Sequence, residues 1–118
     1  MYIIAVDSDK KALCEFEKRL HEVFTKETIK TFNNPLDALK YADQNTIDIL
    51  FTDIRIKPID GYELIKSIRQ KQQCFAYVIS GSKENPDDLS WMAVNGYYAK
   101  PVSVEELQEI KKLFDYTG

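Results

Sequence analysis

Two hydrophobic periods alternate along this chain, and that alternation constrains the fold more than any other feature. Five short β-rich stretches run from Tyr2 to Val6, Thr28 to Phe32, Asp48 to Thr52, Phe75 to Ser80 and Tyr97 to Ala99. Each is followed by a segment whose apolar residues fall at helical intervals. The helical sets are Leu13, Phe16, Leu20, Val23 and Phe24; Leu36, Leu39 and Ala42; Leu64, Ile65 and Ile68; Leu89, Met92 and Ala93; and Val104, Leu107, Ile110 and Phe114. Helix punctuation agrees with them. Ser8 or Asp9 caps the first helix, while Asn34-Pro35 and Asn85-Pro86 each pair an N-cap with a proline at the first helical position. Ser103 and Glu106 form a capping-box pattern, and Gly96 reads as the C′ residue of the fourth helix. Asp60-Gly61 reads as a turn and helix start, with glycine supplying backbone freedom.

Strands and helices that alternate through connections this short imply right-handed crossovers and a parallel sheet, an α/β fold of the doubly wound (βα)5 kind. Ile3-Ile4-Ala5-Val6, Ile49-Leu50-Phe51 and Ala76-Tyr77-Val78-Ile79 are near-continuous apolar runs, as strands covered on both faces require. Thr28 to Phe32 is interrupted by polar residues and Tyr97 to Ala99 is short, which suits edges. The expected order is 2-1-3-4-5, the flavodoxin-like arrangement in three layers, with its switch point between strands 1 and 3.

At 118 residues, with 44% hydrophobic and 30% charged, the chain suits a single domain spanning 1–118. Its net charge of −3 and scattered lysines argue against direct nucleic-acid binding. No apolar run is long enough for a membrane span or signal peptide, so a cytoplasmic location is expected. Cys14 and Cys74 lack metal-ligand spacing and read as free thiols that serve packing. The single histidine, His21, reads as a solvated helix residue.

Ligands of such folds bind at the carboxyl ends of the strands beside the switch point. Strand 1 runs into Asp7-Ser8-Asp9 and strand 3 into Asp53, so two carboxylates converge there. Strand 4 ends in Ser80-Gly81, and strand 5 in Lys100-Pro101. Oxygen ligands suit a hard cation such as Mg²⁺, while a hydroxyl and an ammonium suit phosphoryl oxygens. An aspartate at a strand end is commonly just a helix cap; four polar groups converging on one edge point instead to a site.

These residues carry a resemblance. Ile3 to Asp9, Asp53 to Gly61, Ser80-Gly81 and Gly96 to Pro101 together resemble the receiver domain of response regulators in two-component signalling, over essentially the whole chain. The resemblance implies that Asp53 accepts a phosphoryl group from a sensor histidine kinase, a phosphotransfer protein or a small acyl phosphate. Asp7, Asp53 and the backbone carbonyl of Arg55 would hold Mg²⁺, with Ser80 and Lys100 contacting the phosphoryl group. Pro101 would follow a cis peptide bond. Tyr97 would be the switch aromatic that passes the signal to the surface of the fourth helix, fifth strand and fifth helix, where a homodimer would also form. Chemistry would be limited to self-catalysed phosphorylation and dephosphorylation, without enzymatic turnover.

Two positions depart from the family pattern. Ser8 stands where the family carries a second acid, so it offers the metal a neutral oxygen and Mg²⁺ is expected to bind more weakly. The proline after the acceptor, Pro58, comes one residue late, so the family pattern fixes neither the conformation of this loop nor the reach of Lys57 over the site. The alternative expectation is a receiver that acts through protein contacts without phosphorylation because of Ser8. A third reading compares Asp7-Ser8-Asp9 with the Asp-x-Asp nucleophile of haloacid-dehalogenase-like phosphatases; Lys11 and the short chain speak against it. Asp53-Ile54-Arg55 and Lys100-Pro101-Val102-Ser103 also resemble receivers joined to LytTR-type DNA-binding domains, which implies transcription regulation by a longer protein.

Overall fold

The computed structural model describes residues 1–81 and 94–115. Its strands are β1 (Tyr2–Val6), β2 (Thr28–Phe32), β3 (Ile49–Asp53), β4 (Phe75–Ser80) and β5 (Gly96–Ala99). The described helices are α1 (Lys10–Val23), α2 (Pro35–Gln44), α3 (Gly61–Arg69) and α4 (Val104–Asp115). The strands form one parallel sheet in the order β2-β1-β3-β4-β5, as the apolar runs require. The helix expected from Leu89, Met92 and Ala93 and its Asn85-Pro86 cap lie outside the described residues.

Period-two alternation sends each strand's side chains to two separate cores. Ile3, Ala5, Phe51 and Ile79 pack with Leu13, Phe16 and Leu20 of α1 and with Leu107 and Ile110 of α4. Ile4, Val6, Leu50 and Val78 pack on the other face with Ala38 and Ala42 of α2 and with Leu64, Ile65 and Ile68 of α3. Full burial of an aliphatic side chain contributes about 1.5–3 kcal/mol, so these two layers dominate the stability. Across the first face, aromatic rings run from α1 to β5: Phe16 to Phe51 at 5.3 Å, Phe51 to Tyr77 at 5.5 Å, and Tyr77 to Tyr98 at 6.0 Å.

Several local expectations shift. Asp9 is the α1 cap, its carboxylate accepting from the backbone N–H of Lys11 and Ala12 at 3.0 and 3.2 Å, while Ser8 is exposed. In α2 the buried residues are Pro35, Ala38 and Ala42, and Leu36 is 42% exposed because it lies one position off that stripe. β3 extends to include Asp53, and β5 begins at Gly96. None of the described glycines has a positive φ, so Gly96 is not a left-handed helix terminator. A Cβ there would stand 2.9 Å from the Tyr77 ring, so glycine serves close approach. Cys14 and Cys74 are free thiols; Cys14 is exposed and does no packing, whereas Cys74 is half-buried. His21 is exposed, 3.3 Å from Glu17. No helix among the described residues is long and apolar enough to cross a membrane.

Candidate functional site

Parallel strands bring all their carboxyl ends to one edge, and register decides what gathers there. β1 leads directly into Asp7, β3 ends at Asp53, β4 at Ser80, and Lys100 follows β5. Asp53 lies opposite Ile79 and Ser80 opposite Ala99, so the four polar residues come from four adjacent strand ends. Asp7 and Ser80 are each 2% exposed and Asp53 8%. Burying two carboxylates is costly unless each is paired and hydrogen-bonded.

Lys100 supplies the pairing. Its Nζ donates to Asp7 Oδ2 at 2.6 Å and to Asp53 Oδ2 at 2.7 Å, so one ammonium bridges both acids. Each acid's other oxygen accepts a backbone N–H two residues on: Asp9 N–H to Asp7 Oδ1 at 2.9 Å and Arg55 N–H to Asp53 Oδ1 at 3.3 Å. Both side chains are thereby oriented by their own loops. Burial alone pulls the Lys100 pKa down, but the hydrogen bonds and negative charges of Asp53 and Asp7 outweigh it and hold it above the ordinary lysine value. The Lys100 N–H also donates to the Ser80 carbonyl at 2.9 Å, which fixes the end of β5 against β4. Lys57-Pro58 and Lys100-Pro101 are both cis.

Asp7, Asp53 and Lys100 are thus in direct contact, with Ser80 at the adjoining strand end. Ser8 is exposed, and Asp9 does not replace the missing acid because its carboxylate caps α1. Arg55 occupies the loop after β3, and Lys57 is exposed. Tyr97 is half-buried against the core that contains Ile4 and Leu50. Two contributors escape the strand-end reading. Thr52, wholly buried, donates its hydroxyl to the Asp53 carbonyl at 3.0 Å, and Gly61 lies against the same carbonyl. A hydroxyl residue between the apolar run Ile49-Leu50-Phe51 and Asp53, and a glycine opening a helix, were the available signals.

Among the described residues no three His, Cys, Asp or Glu side chains form a metal-binding group. Two carboxylates that already converge on one cation nevertheless fit Mg²⁺, which commonly takes one or two carboxylates and completes its shell with water and phosphate oxygens. The pair and Lys100 together carry one net negative charge, which a phosphoryl group would meet on approach.

A family model for the response regulator receiver domain matches residues 3–112. Transcriptional regulatory protein YpdB of Escherichia coli K12 is 30% identical over 102 residues, covering 86% of this chain and 42% of that protein. The chain therefore spans less than half the length of this relative. Sporulation initiation phosphotransferase F of Bacillus subtilis is 26% identical, covering 80% of this chain and 81% of that one. Among solved structures, a two-component response regulator from Clostridium difficile superposes with a TM-score of 0.86 at 23% identity, covering 100% and 98% of the two chains. The Thermotoga maritima response regulator TrrA, in complex with Mg²⁺-BeF, gives 0.82 at 28% identity, covering 95% and 97%. These matches agree with the strand order and support phosphoacceptance; the phosphorylation-independent alternative finds no support in them. The chain belongs to the response regulator receiver domain family, the phosphoacceptor modules of two-component signalling.

Proposed function

We propose that Asp53 is the phosphoacceptor and that Asp7, Asp53 and the Arg55 backbone carbonyl hold Mg²⁺. The observation that carries this reading is the Lys100 ammonium bridging both carboxylates at 2.6 and 2.7 Å. It marks a point between two buried acids where positive charge is already favoured. Mg²⁺ supplies charge neutralisation there, and Ser8 in place of an acid makes its binding weaker.

An oxygen of the Asp53 carboxylate attacks phosphorus in line with the leaving group. The P–N bond of a phosphohistidine, or the P–O bond of an acyl phosphate, breaks as the new O–P bond forms. The electron pair leaves on the imidazole nitrogen, which takes up a proton, or on the carboxylate oxygen of the donor. Lys100 then pairs with the phosphoryl oxygens as a point charge, and the Ser80 hydroxyl donates to them. Tyr97 relays the change along β5 to α4.

Receiver domains work with histidine kinases or phosphotransfer proteins, and this chain takes its phosphoryl group from one of them. Residues 1–118 act as one receiver unit in the cytoplasm. A homodimer through β5, α4 and the helix that the sequence leads one to expect from Leu89, Met92 and Ala93, and a transcriptional output, extend the reading; the names of regulatory relatives favour the latter. The test is intact mass after incubation with acetyl phosphate and Mg²⁺. One phosphoryl group is expected on the wild type and none on Asp53→Ala. No gain at saturating donor and metal, or a gain that survives in Asp53→Ala, overturns the assignment.

A further inference from the structure

The first turn of α3 meets the backbone of β3 at a place where there is no room for a side chain. A Cβ built on Gly61 would lie 2.3 Å from the Asp53 carbonyl oxygen and 3.0 Å from both the Asp53 carbonyl carbon and Ile54 Cα. All three are backbone atoms, so no flexible side chain can swing aside to make space. The glycine is also held there. Its N–H donates to the Ile54 carbonyl at 2.9 Å, the Ile56 N–H reaches the same oxygen at 3.1 Å, and Asp60 caps α3 through Glu63 N–H at 2.9 Å. Gly61 has a negative φ, so conformational freedom does not explain the residue type.

The clamped segment carries the geometry of the acceptor. The Asp53 carbonyl that Gly61 abuts also takes the Thr52 hydroxyl, and the turn from Asp53 to Arg55 holds Asp53 Oδ1 through the Arg55 N–H. We infer that Gly61 is a positioning residue for Asp53: its missing side chain lets α3 seat directly on the acceptor's backbone and thereby aims its carboxylate. The inference rests on the assignment of Asp53 as acceptor. A methyl group at position 61 pushes the Asp53–Ile54 peptide away, and the Arg55 N–H and carbonyl move with it.

The experiment compares the full chain with Gly61→Ala and with Ile68→Val, which loosens the same helix at its far end. Phosphoryl transfer from acetyl phosphate with Mg²⁺ is followed against donor concentration, and the Arg55 amide is followed by NMR and hydrogen exchange without donor. Misplacement by an ångström costs up to about a hundred-fold in rate, so Gly61→Ala is expected to lose about ten-fold or more in maximal rate. The half-saturating donor concentration stays unchanged. Its Arg55 amide shifts and exchanges faster while the amides of β1 and β2 keep their positions, and Ile68→Val does neither. A Gly61→Ala chain that retains the wild-type rate and Arg55 resonance overturns the inference, as does an equal loss in Ile68→Val. Should Gly61→Ala fail to fold, Asp60→Ala loosens the same turn without adding bulk; faster Arg55 exchange supports the inference and unchanged exchange refutes it. If the wild type takes up no phosphoryl group, the acceptor assignment fails, while the Arg55 amide still decides whether Gly61 sets the loop.

Discussion

Lys100 is only 23% exposed at its side chain, against 3% for Asp7 and 11% for Asp53, so the three charges share a space that water hardly screens. Removing the ammonium leaves two buried carboxylates facing each other. Breaking a buried pair by deleting one partner costs about 3 kcal/mol, so Lys100→Met is expected to lose about that much stability in metal-free urea denaturation at neutral pH. Added Mg²⁺ restores part of the loss because it returns positive charge to the same point. Equal stability of mutant and wild type without metal would show that the ammonium is not what makes the acids tolerable. The pH dependence has a definite sign. The folded pKa of Lys100 is raised, so its contribution is fully present below the ordinary lysine value and disappears as pH rises through the higher folded one. The wild type therefore loses an increment of stability in the alkaline range that Lys100→Met lacks. The two thiols offer a separate residue-level test. Burial pushes the Cys74 pKa up, and the nearby Arg69 charge and hydrogen bond pull it back only in part, whereas Cys14 is exposed. Thiol titration with a disulfide reagent should show a fast and a slow phase, the fast one lost in Cys14→Ser.

Elements of this fold are tied by side chains that no periodicity predicts. Gln72, just after α3, accepts the Ile47 N–H at 2.8 Å and donates to the carbonyls of Ala42 and Asn45 at 3.0 Å each. It closes the end of α2 and the entry to β3 from a third element. Gln72→Ala strands a buried N–H, so it is expected to cost about 1–3 kcal/mol in urea denaturation. An effect indistinguishable from zero would mean that water replaces the amide. The capping box of α4 was by contrast readable from spacing alone, and Ser103 and Glu106 do exchange hydrogen bonds, at 3.0 and 3.1 Å. The difference is one of range: caps lie within four residues, whereas Gln72 reaches 25 to 30 residues along the chain. The same distinction explains Gly61 and Leu36. Composition marks a glycine at a helix start, but only packing shows that the acceptor's carbonyl lies against it. Leu36 matches helical spacing, yet the face of α2 that enters the core runs through Pro35, Ala38 and Ala42, which leaves Leu36 outside it. The strand order and the meeting of Asp7, Asp53 and Lys100 were legible because apolar runs mark central strands and parallel pairing sends every strand end to one edge.

Across the whole molecule, the active edge is assembled from strands of unequal security. β1 and β3 are sandwiched between two helical layers, and the residues Ile3 to Val6 and Ile49 to Phe51 have no solvent exposure. β5 is an edge strand of four residues, with three half-buried and one exposed, and among the described residues it pairs only with β4. The acids thus stand on the rigid centre, while their cation stands on the margin. Local opening of β5 would carry Lys100 away without disturbing Asp7 or Asp53, and it should require less free energy than global unfolding. A phosphoryl group on Asp53 gives Lys100 a partner with more negative charge, which selects the conformations in which β5 is docked. Hydrogen exchange checks this ordering. Amides of β1 and β3 are expected to exchange at the rate set by global unfolding, those of Tyr97 to Ala99 faster. Mg²⁺ with beryllofluoride, the pair bound to the Thermotoga relative, should slow exchange in β5 more than in β1 or β3. Uniform slowing across the sheet would indicate that the ligand stabilises the fold as a whole, and that Lys100 does not couple β5 to the phosphoryl state of Asp53.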